Sequence, residues 1–347
     1  MGYLALEDGS IFEGKLIGAA QETMGELVFN TNMTGYQEAI VDPANCGQIV
    51  VMTYPLIGNY GINIEDMEGT KPYLAGLVVR ELCEIPSNWR ATSNLNDYLK
   101  EHNIVGIADV DTREIIRIIR EKGNLCGKIC ADLPTAQEIA DISKHKEIGL
   151  VEKVTCSAPY TLGGQGVKLA VIDYGVSNNI LQPLIELEAQ LTIFPATISA
   201  QEILNGGYSG LILSSGPGNP KDCTEQINTI KQLFGKLPIF GIGLGHQVLA
   251  LACGGDTYKL KCGHGGAQSV KELATGKLFM ASQNHNYNVH PEHLPKGAKV
   301  SFLNWNDKTI EGLKYKNGSF SVQFYPCGGA GPNDAAFLFE KFIGITK

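Results

Sequence analysis

The chain has 347 residues, 44% of them hydrophobic and 18% charged, which suits two globular domains and excludes a disordered chain. Its formal net charge of −8 repels phosphate backbones, so no nucleic-acid partner is expected. No apolar run approaches the ~18 residues of a membrane span, so no membrane partner is expected either. The opening run Met1-Gly2-Tyr3-Leu4-Ala5-Leu6 lacks a basic, signal-like segment, and nine cysteines lie scattered from Cys46 to Cys327. Both features fit a cytoplasmic protein with reduced thiols. The Cys126/Cys130 spacing has no second Cys/His pair beside it, so no metal is expected there.

In chain order, short strands are predicted at Tyr3–Leu6, Glu26–Phe29 and Gln48–Met52. Asp8-Gly9 marks a hairpin after the first of them. A helix is expected from Ser93 to Glu101. A second runs from Thr112 to Lys122, with an Ile115, Ile116, Ile118, Ile119 stripe, Asp111 or Thr112 as N-cap and Gly123 as stop. Residues 1–156 thus read as a mixed α/β domain. Residues 157–166 (Ser-Ala-Pro-Tyr-Thr-Leu-Gly-Gly-Gln-Gly) lack periodicity and read as a linker.

Residues 167–347 have a different rhythm. Strands at Val167–Ile172, Leu191–Phe194, Gly210–Leu213 and Leu237–Ile242 alternate with helices at Asn179–Ala189, Ala200–Leu204, Thr224–Phe234 and Leu244–Cys253. This alternation predicts a mainly parallel sheet with helices on both faces. Ligands bind past the carboxyl ends of such strands, so chemistry belongs on the strand-to-helix turns. Two turns stand out. Ser214-Ser215-Gly216-Pro217-Gly218-Asn219-Pro220 leaves backbone N–H groups uncovered, as an oxyanion site requires, although a plain Gly/Pro loop reads the same way. Gly241-Ile242-Gly243-Leu244-Gly245-His246-Gln247 has the form of a nucleophile elbow, but its apex is Gly243, which has no side chain to attack with.

These two turns, with Ser282-Gln283-Asn284-His285, resemble a class I, triad-type glutamine amidotransferase domain of flavodoxin-like fold. The segments Leu6–Gly14, Phe29–Glu38, Thr53–Gly61 and Asp111-Thr112-Arg113 narrow the resemblance to the small subunit of carbamoyl-phosphate synthetase, across almost the entire chain. The resemblance implies a Cys–His–Glu triad that releases ammonia from glutamine and a large-subunit partner that binds ATP and Mg. No cofactor is then expected in this chain itself. It further implies that the first domain contributes to large-subunit contact.

Carried over position by position, the family's nucleophile falls on Gly243. The family's Gln-Tyr-His-Pro-Glu segment falls on Gln323-Phe324-Tyr325-Pro326-Cys327. The three triad positions are therefore Gly243, Tyr325 and Cys327, all replaced. A phenol, with a reference pKa of about 10, is a poor base at neutral pH. Positions matching the family's glutamine pocket are Gly216, Gly218, Leu244 (through its N–H), Gln247, Asn284 and Tyr287. Asn32, Asn286 and the Gly263–Gln268 stretch depart from the family pattern and put glutamine affinity in doubt. The expectation is a partner subunit unable to hydrolyse glutamine, serving ammonia-dependent carbamoyl phosphate synthesis. Two alternatives stand beside it: a glutaminase with a non-standard nucleophile such as Cys327 or Cys262, and a regulatory module that binds glutamine or a related amide. His246 and His285 are expected as pocket scaffold, and no metal site is expected from them or His264.

Overall fold

The Asp8-Gly9 turn joins β1 (Gly2–Leu6) and β2 (Ile11–Gly18) into an antiparallel hairpin that pairs Tyr3 with Glu13. Gly9 supplies the left-handed backbone, φ 90°, that such a turn needs. In this computed structural model, which describes residues 1–328 and 331–347, the hairpin begins a first unit of Met1–Ile148 with Lys261–Gly266. It continues through β3 (Thr23–Asn30), α1 (Tyr36–Val41), β4 (Gln48–Met52), the short β5 (Leu56–Ile57), β6 (Gly76–Val78) and β7 (Glu81–Leu82). Then come α2 (Leu95–Glu101), β8 (Val105–Ala108), α3 (Thr112–Lys122), β9 (Cys126–Cys130) and α4 (Ala136–Ile142). Seven strands close into a barrel of order β1-β2-β8-β6-β4-β3-β9.

The isoleucine stripe of α3 is buried against this barrel, the Asp111 carboxylate accepts from Glu114 N, and Gly123 ends the helix at φ 98°. The residues of the two long resembling segments lock together. Gly35 N and Tyr36 N donate to Tyr60 Oη at 2.8 and 3.1 Å, Tyr36 stacks on Tyr60, and the Gln37 amide bridges both backbone groups of Asn63. These side chains therefore serve the architecture of the first unit.

The second unit comprises Gly149–Leu260 and Ala267–Lys347. Its elements are α5 (Leu150–Val154), β10 (Tyr160–Gly163), β11 (Lys168–Asp173), α6 (Asn178–Glu186), β12 (Gln190–Pro195), α7 (Ala200–Asn205), β13 (Gly210–Leu213) and α8 (Thr224–Leu233). They continue with β14 (Ile239–Ile242), α9 (Leu244–Ala252), β15 (Thr257–Glu272), β16 (Leu278–Val289), β17 (Lys299–Asn304), β18 (Ile310–Lys314), β19 (Phe320–Val322) and α10 (Phe337–Thr346). The ten-stranded sheet has the order β10-β12-β11-β13-β14-β19-β18-β17-β15-β16. Its parallel stretch β12-β11-β13-β14-β19, read in order of appearance, is the 2-1-3-4-5 order of a flavodoxin-like sheet. Antiparallel strands extend it on both sides, through β10 at one edge and β18 to β16 at the other.

Four boundaries differ from the sequence reading. Residues 157–166, read as a linker, contain β10, which pairs antiparallel with β12 along the sheet edge. All four of its residues are exposed, so the strand lacks the apolar alternation that would have revealed it. The second unit starts at Gly149 rather than 167, because Val151 on α5 packs into its core. Residues Lys261–Gly266, inside β15, belong to the first unit, where Gly265 O accepts from Thr31 N at 3.1 Å and from Thr31 Oγ1 at 2.9 Å. The helix expected to reach Ala189 ends at Glu186, since Glu188 takes a left-handed φ of 63°.

Phe240 on β14 is fully buried and meets Phe320, Phe339 and Phe342 at ring-centroid distances of 4.4, 5.9 and 5.6 Å. This cluster fastens α10 to the strand that leads into the elbow. Phe240→Ala is expected to destabilise the second unit by about 3–5 kcal/mol, measured by urea unfolding followed by circular dichroism. A loss below about 1 kcal/mol would mean that the cluster does not anchor α10.

Candidate functional site

The elbow is built by glycines because backbone approaches backbone there. Gly245 N donates to Ser214 O at 3.0 Å, which draws the start of α9 onto the end of β13. A Cβ at Gly245 would lie 2.3 Å from Leu213 O, and one at Gly241 would lie 2.6 Å from Gly245 O. Neither position has room for a side chain. Gly243, between β14 and α9, has φ 56° and ψ −114°, a backbone that L-residues adopt only under strain. Its space differs from that of its neighbours: a Cβ there would meet Ser215 Cβ at 3.1 Å and Ser215 Cα at 3.3 Å, with Gln323 O at 3.9 Å. A small shift of Ser215 would admit a side chain at the apex.

Neighbouring parallel strands bring the C-terminal segment to the elbow. Ile242 pairs with Val322 in register, and Gly243 N donates to Val322 O at 2.9 Å. Tyr325 follows two residues after Gln323 and is buried, with its N–H donating to Ser282 O at 2.9 Å. The Cys327 thiol donates to Asn333 Oδ1 at 3.1 Å, and Gly328 N donates to the same oxygen at 2.8 Å. That thiol is thereby engaged in shaping its own loop.

The turn after β13 is equally constrained. A Cβ at Gly216 would sit 2.2 Å from Tyr174 O, and Gly218 holds φ 91°. Ser214 Oγ accepts from Tyr174 N and donates to Ser215 O, both at 2.8 Å, which ties this turn to the end of β11. Gln247 on α9 donates to Tyr287 O at 2.7 Å and to Gln323 Oε1 at 2.9 Å, joining α9, β16 and the C-terminal segment. Gln323 is 2% exposed, and its Nε2 has no hydrogen-bond partner, so one buried amide donor is left over beside the elbow. Asn284 and Tyr287 lie on β16 and are partly exposed.

His246 is engaged through one ring nitrogen, its buried Nε2 having no hydrogen-bond partner among the described residues, and His285 through both. His246 Nδ1 lies 2.8 Å from Ser321 Oγ, and full burial lowers the ring's pKa to about 3. His285 Nδ1 faces Tyr287 O at 2.9 Å and its Nε2 faces Gln283 Oε1 at 2.8 Å. His290, Glu292 and His293 bring ligand atoms within 4.8 Å of one another. His290 Nδ1 accepts Glu292 N–H at 3.2 Å, so that lone pair is already engaged.

Reactive thiolates need a lowered pKa. Burial instead pushes the Cys156 thiol up to about 11, Cys223 and Cys253 up to about 12, and Cys130 and Cys262 upward. Cys262 lies in the first unit, where its thiol donates to Ile119 O at 3.3 Å.

Sequence reasoning did not single out Ser215, the closest neighbour of the apex, nor the Ser321–His246 pair, nor Asn333. Ser215 lay within the quoted Gly/Pro turn, so its position was legible. Ser321 and Asn333 gave no signal, because their roles depend on pairing across the sheet and on the return of a loop.

The profile described as carbamoyl-phosphate synthase small chain, CPSase domain, matches residues 4–129, and that of glutamine amidotransferase class-I matches 170–345. The carbamoyl phosphate synthase small chain of Syntrophotalea carbinolica is 46% identical, covering 99% of this chain and 97% of that one. The chain belongs to the carbamoyl-phosphate synthase small-chain family. The pyrimidine-specific small chains of Bacillus subtilis and Halalkalibacterium halodurans are 45% and 46% identical, each over 99% of this chain and 95% and 96% of theirs. The second unit is the amidotransferase domain of this small chain, and the first is its CPSase domain. Among the described residues no helix is long and apolar enough to cross a membrane.

The burial of His246 sets a pH dependence. The folded ring stays neutral down to about 3, whereas an unfolded ring protonates near 6.5, so between these values the unfolded chain binds the extra proton. The contribution to stability is complete above 6.5 and is lost as pH falls toward 3, with a slope of at most about 1.4 kcal/mol per pH unit. His246→Gln is expected to flatten the stability profile between pH 4.5 and 6.5 by about 1 kcal/mol per unit, measured by urea unfolding at each pH. Parallel profiles for the two proteins would show that His246 does not carry this dependence.

Proposed function

We propose that this chain is a non-hydrolytic small subunit of carbamoyl-phosphate synthase: it binds an ATP-using large subunit and supports carbamoyl phosphate synthesis from free ammonia. The single observation that carries the reading is Gly243, an elbow backbone with φ 56° and no side chain to attack a carboxamide. Two further observations support it. By sequence correspondence Tyr325 and Cys327 stand where the family has the histidine and glutamate, and the Cys327 thiol is held by Asn333. The thiols with shifted pKa values are shifted upward, away from the reactive thiolate that a substitute nucleophile requires. Meanwhile the segments of the first unit that carry the family resemblance keep their mutual hydrogen bonds. These buried bonds preserve the fold of the unit, and docking needs an intact folded surface and not a triad. The names of the Bacillus and Halalkalibacterium relatives favour pyrimidine synthesis as the pathway served.

A second reading has one observation in its favour. The unpartnered Nε2 of Gln323 beside the elbow is a donor for a carbonyl or carboxylate oxygen, so the site retains the means to hold glutamine or a related amide without turning it over.

The test is to co-express the chain with the large subunit of its own organism and compare glutamine with ammonium chloride. Carbamoyl phosphate formation from ammonium alone, above that of the isolated large subunit, is expected. Equal rates with glutamine would overturn the proposal. Restoration by design is a second test. Gly243→Cys alone is expected to release no glutamate above background, because no imidazole stands ready to take the thiol proton. The triple change Gly243→Cys, Tyr325→His, Cys327→Glu is expected to raise glutaminase activity by roughly 10³-fold or more over the parent chain. Full activity from Gly243→Cys alone would show that another group already acts as base.

A further inference from the structure

In the second unit, away from the elbow, a cavity of about 210 Å³ opens between the β15–β16 turn, β17, β18 and α10. Its lining includes Lys299 and Ser301 on β17, Lys314 on β18, Lys341 on α10 and Glu272 on β15. Lys299 and Lys314 stand directly opposite each other in the antiparallel register, an arrangement of like charges that is unfavourable without a counter-charge. Among the described residues no carboxylate forms an ion pair with any of the three lysines. Lys341 Nζ lies 4.9 Å from the centroid of the Phe320 ring. The one acid of the lining, Glu272, already accepts the Thr275 hydroxyl at 2.6 Å. The Ser301 hydroxyl oxygen is buried and has no hydrogen-bond partner.

We propose that this cavity is an anion site that takes a phosphate-bearing small molecule. The lining supplies three cations against one carboxylate, and a bound dianion removes the Lys299–Lys314 repulsion. The donors favour phosphate over carboxylate. Lysines are compact point charges that approach a tetrahedral oxyanion from several directions, and here they come from three separate elements. No arginine in the lining offers the planar fork that matches a carboxylate. Such a site is independent of the glutaminase question, since none of its residues belongs to the elbow or its neighbours.

Isothermal titration of the full chain with pyrophosphate at low ionic strength tests the proposal, with citrate as the carboxylate probe. Saturable, salt-sensitive pyrophosphate binding at one site is expected. The Lys299→Ala, Lys314→Ala double variant should weaken it by about tenfold or more. Lys236→Ala, an exposed lysine outside the cavity, should leave it unchanged. Absence of saturable binding, equal loss in the Lys236→Ala control, or citrate binding as tight as pyrophosphate would each overturn the assignment.

Discussion

The amidotransferase domain depends on one close approach: the first turn of α9 lies directly on the end of β13, with Gly245 N bonded to Ser214 O. The approach admits no side chain at Gly241 or Gly245, so those glycines are requirements of packing. It also fixes where α9 begins, which forces the chain through φ 56° at Gly243. The parallel pairing of β14 with β19 then brings Val322 and Gln323 to the same edge. The elbow geometry is therefore set by the sheet and the helix, and it persists with no nucleophile at its apex. Glycine relieves the strain that a side-chain-bearing residue would have to bear there.

This separation of scaffold from chemistry runs through the site. Gln247 joins α9, β16 and the C-terminal segment, while His246 and Ser321 pair in the interior. These groups are buried, and losing one would leave the other an unsatisfied polar atom. Tyr325 is likewise buried, with its N–H bonded to Ser282 O. Cys327 has been absorbed into its loop through Asn333. In the first unit, the Tyr36–Tyr60 and Gln37–Asn63 contacts impose the same discipline on the segments most diagnostic of the family.

Much of the fold was legible because its elements are locally consistent. The α3 helix has its Asp111 cap, its isoleucine stripe and its Gly123 stop all within the segment itself. The apolar runs of β11, β13 and β14 alternate with amphipathic helices, so the parallel stretch and its strand-to-helix turns could be anticipated. The elbow and its missing side chain were equally readable, since they rest on the order of seven consecutive residues. Less was legible where a segment's partner is distant. The exposed edge strand β10 has the composition of a linker, and only its pairing with β12 makes it part of the sheet. The left-handed Glu188 shortened a helix whose sequence carries no glycine stop.

The sequence by itself determined the family, the two-domain plan and the glycine at the apex of the elbow, because each is written in residue identity at fixed spacing. Only the tertiary structure decided that Lys261–Gly266 belongs with the first unit, that Asn333 captures Cys327, and that Lys299, Lys314 and Lys341 share one cavity. Those outcomes arise from contacts between segments far apart in the chain. No local propensity encodes them, because the geometry of the sheet is what brings the partners within reach.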